Sequence, residues 1–130
     1  MIVLDASIAV QILLADDAGL ALTERLAASG EPAAVPHLLD VEVASAFRAL
    51  VRSRSATPAQ AALAIANLAS LRMARHSHET LLMRMWELRD ALTAYDAVYV
   101  ALAEALDAEL WTRDARLAKA RGPRCRITVL

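Results

Sequence analysis

The stretch Leu92-Thr93-Ala94-Tyr95-Asp96-Ala97-Val98-Tyr99-Val100-Ala101-Leu102-Ala103-Glu104-Ala105-Leu106 constrains this chain most. Thr93 is a good N-cap and strong helix formers follow it, so the stretch reads as a helix. Asp96 stands three residues after the cap, the place of a capping-box acid, although such boxes prefer Glu or Gln. Beyond it the segment is apolar nearly all round, which predicts a helix inside the fold rather than on its surface. A carboxylate at the head of a buried helix is costly unless it is paired, capped or metal-bound. Asp96 is therefore either a cap or part of the chemistry.

The flanking sequence supplies strands for such a helix to lie against. Ile2-Val3-Leu4 is a short β-branched run ending at Asp5, and reads as a buried strand. Ala33-Ala34-Val35-Pro36, Met73-Ala74-Arg75-His76, Glu109-Leu110-Trp111-Thr112 and Cys125 to Leu130 are further strand candidates. Between them, helical signals cover Ser7 to Leu14, Ala18 to Ala28, Leu38 to about Ser53, the segment opened by Thr57-Pro58, Glu79 to Arg89, and Asp114 to Ala120. In the Glu79 helix, Leu82, Met83, Met85 and Trp86 are expected inside. Strands separated by helices predict an α/β sandwich with a mostly parallel central sheet. The 130 residues are expected to form one domain.

Composition excludes several classes. A net charge of -1 gives no global attraction to nucleic acid, so any polyanion contact must be local. Arg48, Arg52 and Arg54 on one helix, Arg113 beside Asp114, and the group Arg121, Arg124 and Arg126 are the candidates for tracking an RNA backbone, though such spacing also marks a solvated face. Cys125 is the only cysteine, so there is no internal disulfide and a reducing compartment is expected. No apolar run approaches the ~18 residues of a membrane span, and the N-terminus does not read as a signal peptide, which predicts a cytoplasmic protein. Phosphate loops and nucleophile elbows are absent. His76-Ser77-His78 has no companion ligand set and reads as ordinary histidines. Trp86, Tyr95 and Tyr99 have faces suited to base stacking, but Tyr99 lies among apolar neighbours and reads as packing.

The acids carry more information. Asp5 and Asp114 each follow a predicted strand, at the edge where open α/β sheets bind ligands. Asp96 can join them, and Glu42, set between Val41 and Val43, needs solvent or a partner. Clustered carboxylates raise one another's pKa unless a cation neutralises them, and hard divalent ions leave positions open for phosphate oxygens. Ser7 and Thr112 place hydroxyls next to the acids, as supporting donors. Taken singly, Asp96 and Asp114 also read as caps, Asp5 as cap or site, Asp40 as a first-turn acid, and Glu104 and Asp107 as solvated or C-terminal helix positions.

Four segments taken in order, Ile2-Val3-Leu4-Asp5-Ala6-Ser7, Leu39-Asp40-Val41-Glu42-Val43-Ala44-Ser45-Ala46, Thr93-Ala94-Tyr95-Asp96-Ala97-Val98-Tyr99-Val100-Ala101-Leu102-Ala103 and Leu110-Trp111-Thr112-Arg113-Asp114-Ala115-Arg116-Leu117, resemble PIN-domain proteins of the VapC toxin type, as does Trp86-Glu87-Leu88-Arg89. The resemblance implies a PIN-like three-layer α/β/α sandwich. It implies an acidic quartet of Asp5, Glu42, Asp96 and Asp114 holding Mg²⁺ or Mn²⁺, with Ser7 and Thr112 in support. It implies a metal-dependent endoribonuclease acting on structured RNA such as tRNA or ribosomal RNA. The partners implied are a VapB-type antitoxin, whose C-terminal segment covers the pocket, and a second copy in a homodimer, with DNA met only through the antitoxin complex. Two other readings remain: a receiver-like phosphoacceptor domain, which would want a Lys near the last strand, and a non-catalytic interaction subunit whose acids are only caps.

Overall fold

The computed structural model describes every residue from Met1 to Leu130. Five short strands, β1 (Ile2–Leu4), β2 (Ala33–Pro36), β3 (Met73–His76), β4 (Glu109–Thr112) and β5 (Ile127–Val129), alternate with seven helices. These are α1 (Ala6–Leu14), α2 (Asp17–Ser29), α3 (Leu38–Arg52), α4 (Pro58–Leu68), α5 (Leu82–Glu87), α6 (Ala94–Ala105) and α7 (Ala115–Ala118). The sheet order is β3-β2-β1-β4-β5, and every neighbouring pair is parallel. Parallel strands need covered faces, and β1 and β2 are buried at every position. The result is the three-layer α/β/α sandwich.

Helix α6 fills the place its sequence demands. Ala97 to Ala103 are all buried, and the helix packs across β1, β2 and β4 and against α5. The Thr57 hydroxyl accepts from Gln60 N–H while the Gln60 side chain takes the Thr57 N–H, so α4 opens on a complete capping box. Sheet register does the rest. Leu4 lies opposite Trp111, so the ends of β1 and β4 coincide and Asp5 stands beside Thr112. The Asp5 N–H donates to the Trp111 carbonyl at 3.1 Å.

Two expectations are corrected. The Glu79 to Arg89 segment divides into a 3₁₀ turn, Glu79–Leu81, and the six residues of α5. Leu82, Met83 and Trp86 point outward, at 55%, 73% and 63% exposure, while Leu81 and Leu88 are buried and Met85 is partly so. Six residues do not complete two turns, so their pattern does not define a face. Glu104 does lie in the last turn of α6, but it is not solvated: it receives Arg84 Nε at 2.6 Å and Nη2 at 3.1 Å, which ties α5 to α6. No single helix is long and apolar enough to cross a membrane; α1 and α2 pass that test only as a pair bent by 115°.

Candidate active site

Asp5 leaves β1 in extended conformation and caps α1, its Oδ1 accepting the Ile8 N–H at 3.1 Å. The same oxygen accepts the Ser7 hydroxyl at 2.5 Å, and Oδ2 accepts the Thr112 hydroxyl. Ser7 Oγ in turn accepts the Arg113 N–H, and Thr112 Oγ1 the Asp114 N–H, both at 2.9 Å. Two hydroxyls thus staple the head of α1 to the β4–α7 turn through one carboxylate. Burial pushes the Asp5 carboxyl up; the hydrogen bonds from Ser7, Thr112 and Ile8 pull it down and only partly compensate.

Glu42 lies in the second turn of α3, half-buried. Burial raises its pKa, the Tyr99 hydroxyl lowers it, and the charges of Asp5 and Asp96 raise it again. Those last two effects place Glu42, Asp5 and Asp96 in one electrostatic field. Tyr99, 3% exposed on α6, donates to Glu42 Oε2 at 2.5 Å. Burial, the hydrogen bond to Glu42 and the nearby carboxylates drive the phenol's pKa far up, so it stays a donor. Asp40 faces elsewhere, since residues two apart on a helix diverge: it holds Arg75 of β3 through two hydrogen bonds, at 2.9 and 3.0 Å.

Asp96 is not itself the cap of α6. Thr93 is the cap, its Oγ1 accepting the Asp96 N–H at 3.2 Å. The reciprocal bond of a capping box is not formed. Instead the Thr93 hydroxyl donates to Asp96 Oδ2 at 3.1 Å, and Oδ1 takes no protein partner. Asp114 caps α7, accepting the Arg116 N–H at 2.8 Å. The Arg116 guanidinium grips both of its oxygens, at 2.8 to 3.2 Å, and lowers its pKa.

The fold therefore gathers Asp5, Glu42 and Asp96, with Ser7 and Thr112 on Asp5, and leaves Asp114 at the rim clasped by Arg116. As the side chains stand, no three His, Cys, Asp or Glu groups converge tightly enough to hold a metal ion. The donor set nonetheless fits a hard divalent cation: oxygen ligands only, with Asp5 and Glu42 raised in pKa by burial and Glu42 further by the charges of Asp5 and Asp96. Arg48, Arg52 and Arg113 are exposed and carry no ion pair. Lys119 is exposed just past α7. Sequence reasoning took Tyr99 for packing and missed its hydroxyl. The signal was its position three residues after Asp96, on the same helix face.

Comparison with known proteins places the chain in a family. The PIN domain model matches residues 2–123. Ribonuclease VapC9 of Mycobacterium tuberculosis is 41% identical over 130 residues, covering 100% of this chain and 98% of the relative. Ribonuclease VapC12 of the same organism is 38% identical, covering 100% and 99%. Among solved structures, Rickettsia felis VapBC2 bound to a promoter DNA fragment superposes with a TM-score of 0.73 at 19% identity, over 100% of this chain and 99% of the other. Mycobacterium tuberculosis VapC20, a Sarcin-Ricin loop cleaving toxin, gives 0.66 at 18%, over 92% and 94%. At those identities the structures establish the fold, and the whole-length sequence matches establish kinship. The chain belongs to the PIN-domain family, among relatives that are VapC ribonucleases.

Proposed function

We propose that this chain is a single-domain endoribonuclease toxin of a toxin–antitoxin pair, hydrolysing phosphodiester bonds of structured RNA in the cytoplasm with Mg²⁺ or Mn²⁺. The observation that carries the reading is the shared field of Asp5, Glu42 and Asp96 at the carboxyl ends of β1 and β4. Kinship with VapC ribonucleases supports the reaction class, and a relative that cleaves the Sarcin-Ricin loop supports ribosomal RNA, beside tRNA, as the substrate class. The VapBC2 complex on promoter DNA supports a VapB-type antitoxin, with DNA met through that complex. A homodimer completes the proposal.

Asp5, Glu42 and Asp96 would hold the cation, joined by Asp114 once Arg116 releases it. When bound, such an ion cancels the acidic cluster, polarises the phosphodiester and activates water for in-line attack. The chain's own residues prepare for this. Ser7 and Thr112 keep Asp5 oriented and partly offset its burial. Tyr99 occupies Glu42 Oε2 and leaves Oε1 without a protein partner. Thr93 holds one oxygen of Asp96 and leaves the other free. Arg48, Arg52 and Arg113 are the RNA-contacting candidates.

The test is total RNA incubated with purified protein, with and without Mn²⁺, beside Asp96→Asn. Cleavage that needs the cation and disappears in the variant supports the reading. A folded, cation-stabilised wild type that cleaves no RNA refutes it.

A further inference from the structure

We propose that Arg113 and Arg25 form a phosphate subsite beside the acidic centre, gripping an RNA phosphodiester next to the one cleaved, with Gln11 setting its geometry. The proposal rests on the ribonuclease reading above and adds to it where the strand is held.

Arg113 is tied to the acidic centre by its backbone. Its N–H donates to Ser7 Oγ at 2.9 Å and the Ser7 hydroxyl to Asp5 Oδ1 at 2.5 Å, so two hydrogen bonds separate the residue from Asp5. Its side chain reaches one turn further along α1, where Nη1 donates to the side-chain carbonyl of Gln11. Gln11 is only 6% exposed. Its amide nitrogen is fixed to Asp16 Oδ1 at 2.6 Å, the same oxygen that caps α2 through the Gly19 N–H at 2.9 Å. A buried neutral amide, itself anchored, thus holds the arginine. Orientation is supplied without cancelling the charge. The Nε–Nη2 edge has no protein partner, and that two-donor fork is the geometry that matches two oxygens of a phosphate.

Arg25, on α2, shares a cleft of about 280 Å³ with Arg113 and Leu130. Its guanidinium lies 5.4 Å from the centroid of the buried Trp111 ring, a cation–π seat that again fixes a cation without an anion. By contrast Arg75, Arg84, Arg116 and Arg126 are each paired with a carboxylate. In a protein of net charge -1, two immobilised, unpaired arginines in one cleft next to an acidic centre give a polyanion a local foothold that the whole molecule lacks. The paired positive charge and the hydrogen-bonded link from Arg113 to Asp5, the acid proposed for cleavage, favour a backbone phosphate as the group held.

The experiment measures binding of a labelled single-stranded RNA oligonucleotide to the full chain carrying Asp96→Asn, across a salt series. The same background then carries Arg25→Ala, Arg113→Ala, both together, Arg113→Lys, or Arg72→Ala as a control at the start of β3, the far edge of the sheet. Each alanine should weaken binding roughly tenfold. The double variant should flatten the slope of log K against log salt by about 0.7 for each phosphate no longer neutralised. Arg113→Lys should keep the slope but lose affinity, because a point charge replaces a fork. A double variant matching the Arg72→Ala control in affinity and slope overturns the subsite. Cleavage of total RNA by the wild type, run alongside, separates the two failures: cleavage with indifferent arginines sinks the subsite alone, whereas neither cleavage nor binding sinks the ribonuclease reading with it.

Discussion

The Tyr99 hydroxyl donates to Glu42 Oε2 across 2.5 Å, linking α6 to α3 between residues 57 apart in the chain. The bond gives Glu42 a fixed direction in a half-buried position where solvent cannot supply one. Tyr99→Phe keeps the packing of the ring and deletes only the donor. Partners of this kind behind a ligand typically control 10–100-fold in metal affinity or activity, so the variant should remain folded and lose about that much RNA cleavage. Its melting temperature should also rise less than the wild type's when Mn²⁺ is added. Unchanged cleavage with an unchanged Mn²⁺ response would show that Glu42 needs no such support.

Glu42 also makes a prediction about pH. Burial and the charges of Asp5 and Asp96 hold its pKa above the ordinary 4.5 despite Tyr99. A folded state that binds the proton more tightly than the unfolded chain is favoured by acid, so this contribution weakens as pH rises through the raised pKa. Glu42→Gln removes the charge and retains an oxygen to accept the Tyr99 hydroxyl. Without added cation the variant should melt higher than the wild type at neutral pH, and the difference should close on acidification through the carboxylate range. Adding Mn²⁺ should reverse the order. Thermal melts at several pH values, with chelator and with Mn²⁺, decide it; a variant that melts lower than wild type throughout contradicts the argument.

The contrast between these long-range links and the local signals explains what could be read in advance. Strands β2, β3 and β4 were recognisable to the residue because each is a short run at a turn or helix boundary. Taken singly, Asp5, Asp96 and Asp114 read as helix caps as readily as site acids, and only Glu42 wanted a partner; the four became a set through the resemblance of their segments, in order, to one family. The partners were not legible: Arg84 for Glu104, Arg113 for Gln11 and Tyr99 for Glu42 lie 20, 102 and 57 residues apart, and no helical or strand period spans such separations. The outward turn of Trp86 and Met83 was equally hidden, because α5 is too short to display a face.

The Arg84–Glu104 pair fastens α5 to α6 and so supports the helix that carries Asp96. The side chains are 19% and 12% exposed, and Arg84 also reaches the Gly122 carbonyl at 2.8 Å. Burial works against the Glu104 carboxylate, but the hydrogen bonds from Arg84 and from the Arg124 N–H outweigh it and lower its pKa. Stability from such a group is present above the ordinary 4.5 and is lost as pH falls through the depressed value. Glu104→Gln should therefore cost about 1.5 kcal/mol at neutral pH, with the cost fading in acid, the opposite trend to Glu42→Gln. Urea unfolding at pH 7 and near pH 3 measures both ends.

Gly19 is where the packing of two helices reaches the proposed phosphate subsite. A Cβ built there would stand 2.2 Å from the carbonyl oxygen of Gln11 and 3.2 Å from its carbon, both backbone atoms of α1. Neither can rotate away, so Gly19→Ala must push α2 off α1, at a cost of roughly 1–3 kcal/mol for an overpacked contact. Its backbone dihedrals are helical and alanine is the better helix former, which makes the sign a clean test of the crossing rather than of propensity. Displacing α2 also strains the line from Asp16 through Gln11 to Arg113. The variant should thus lose RNA affinity beyond what its stability predicts, at temperatures where it is fully folded. Denaturant unfolding paired with the salt-dependent binding assay separates the two effects. Destabilisation with wild-type RNA affinity would confine Gly19 to packing and show that Arg113 keeps its place without α2.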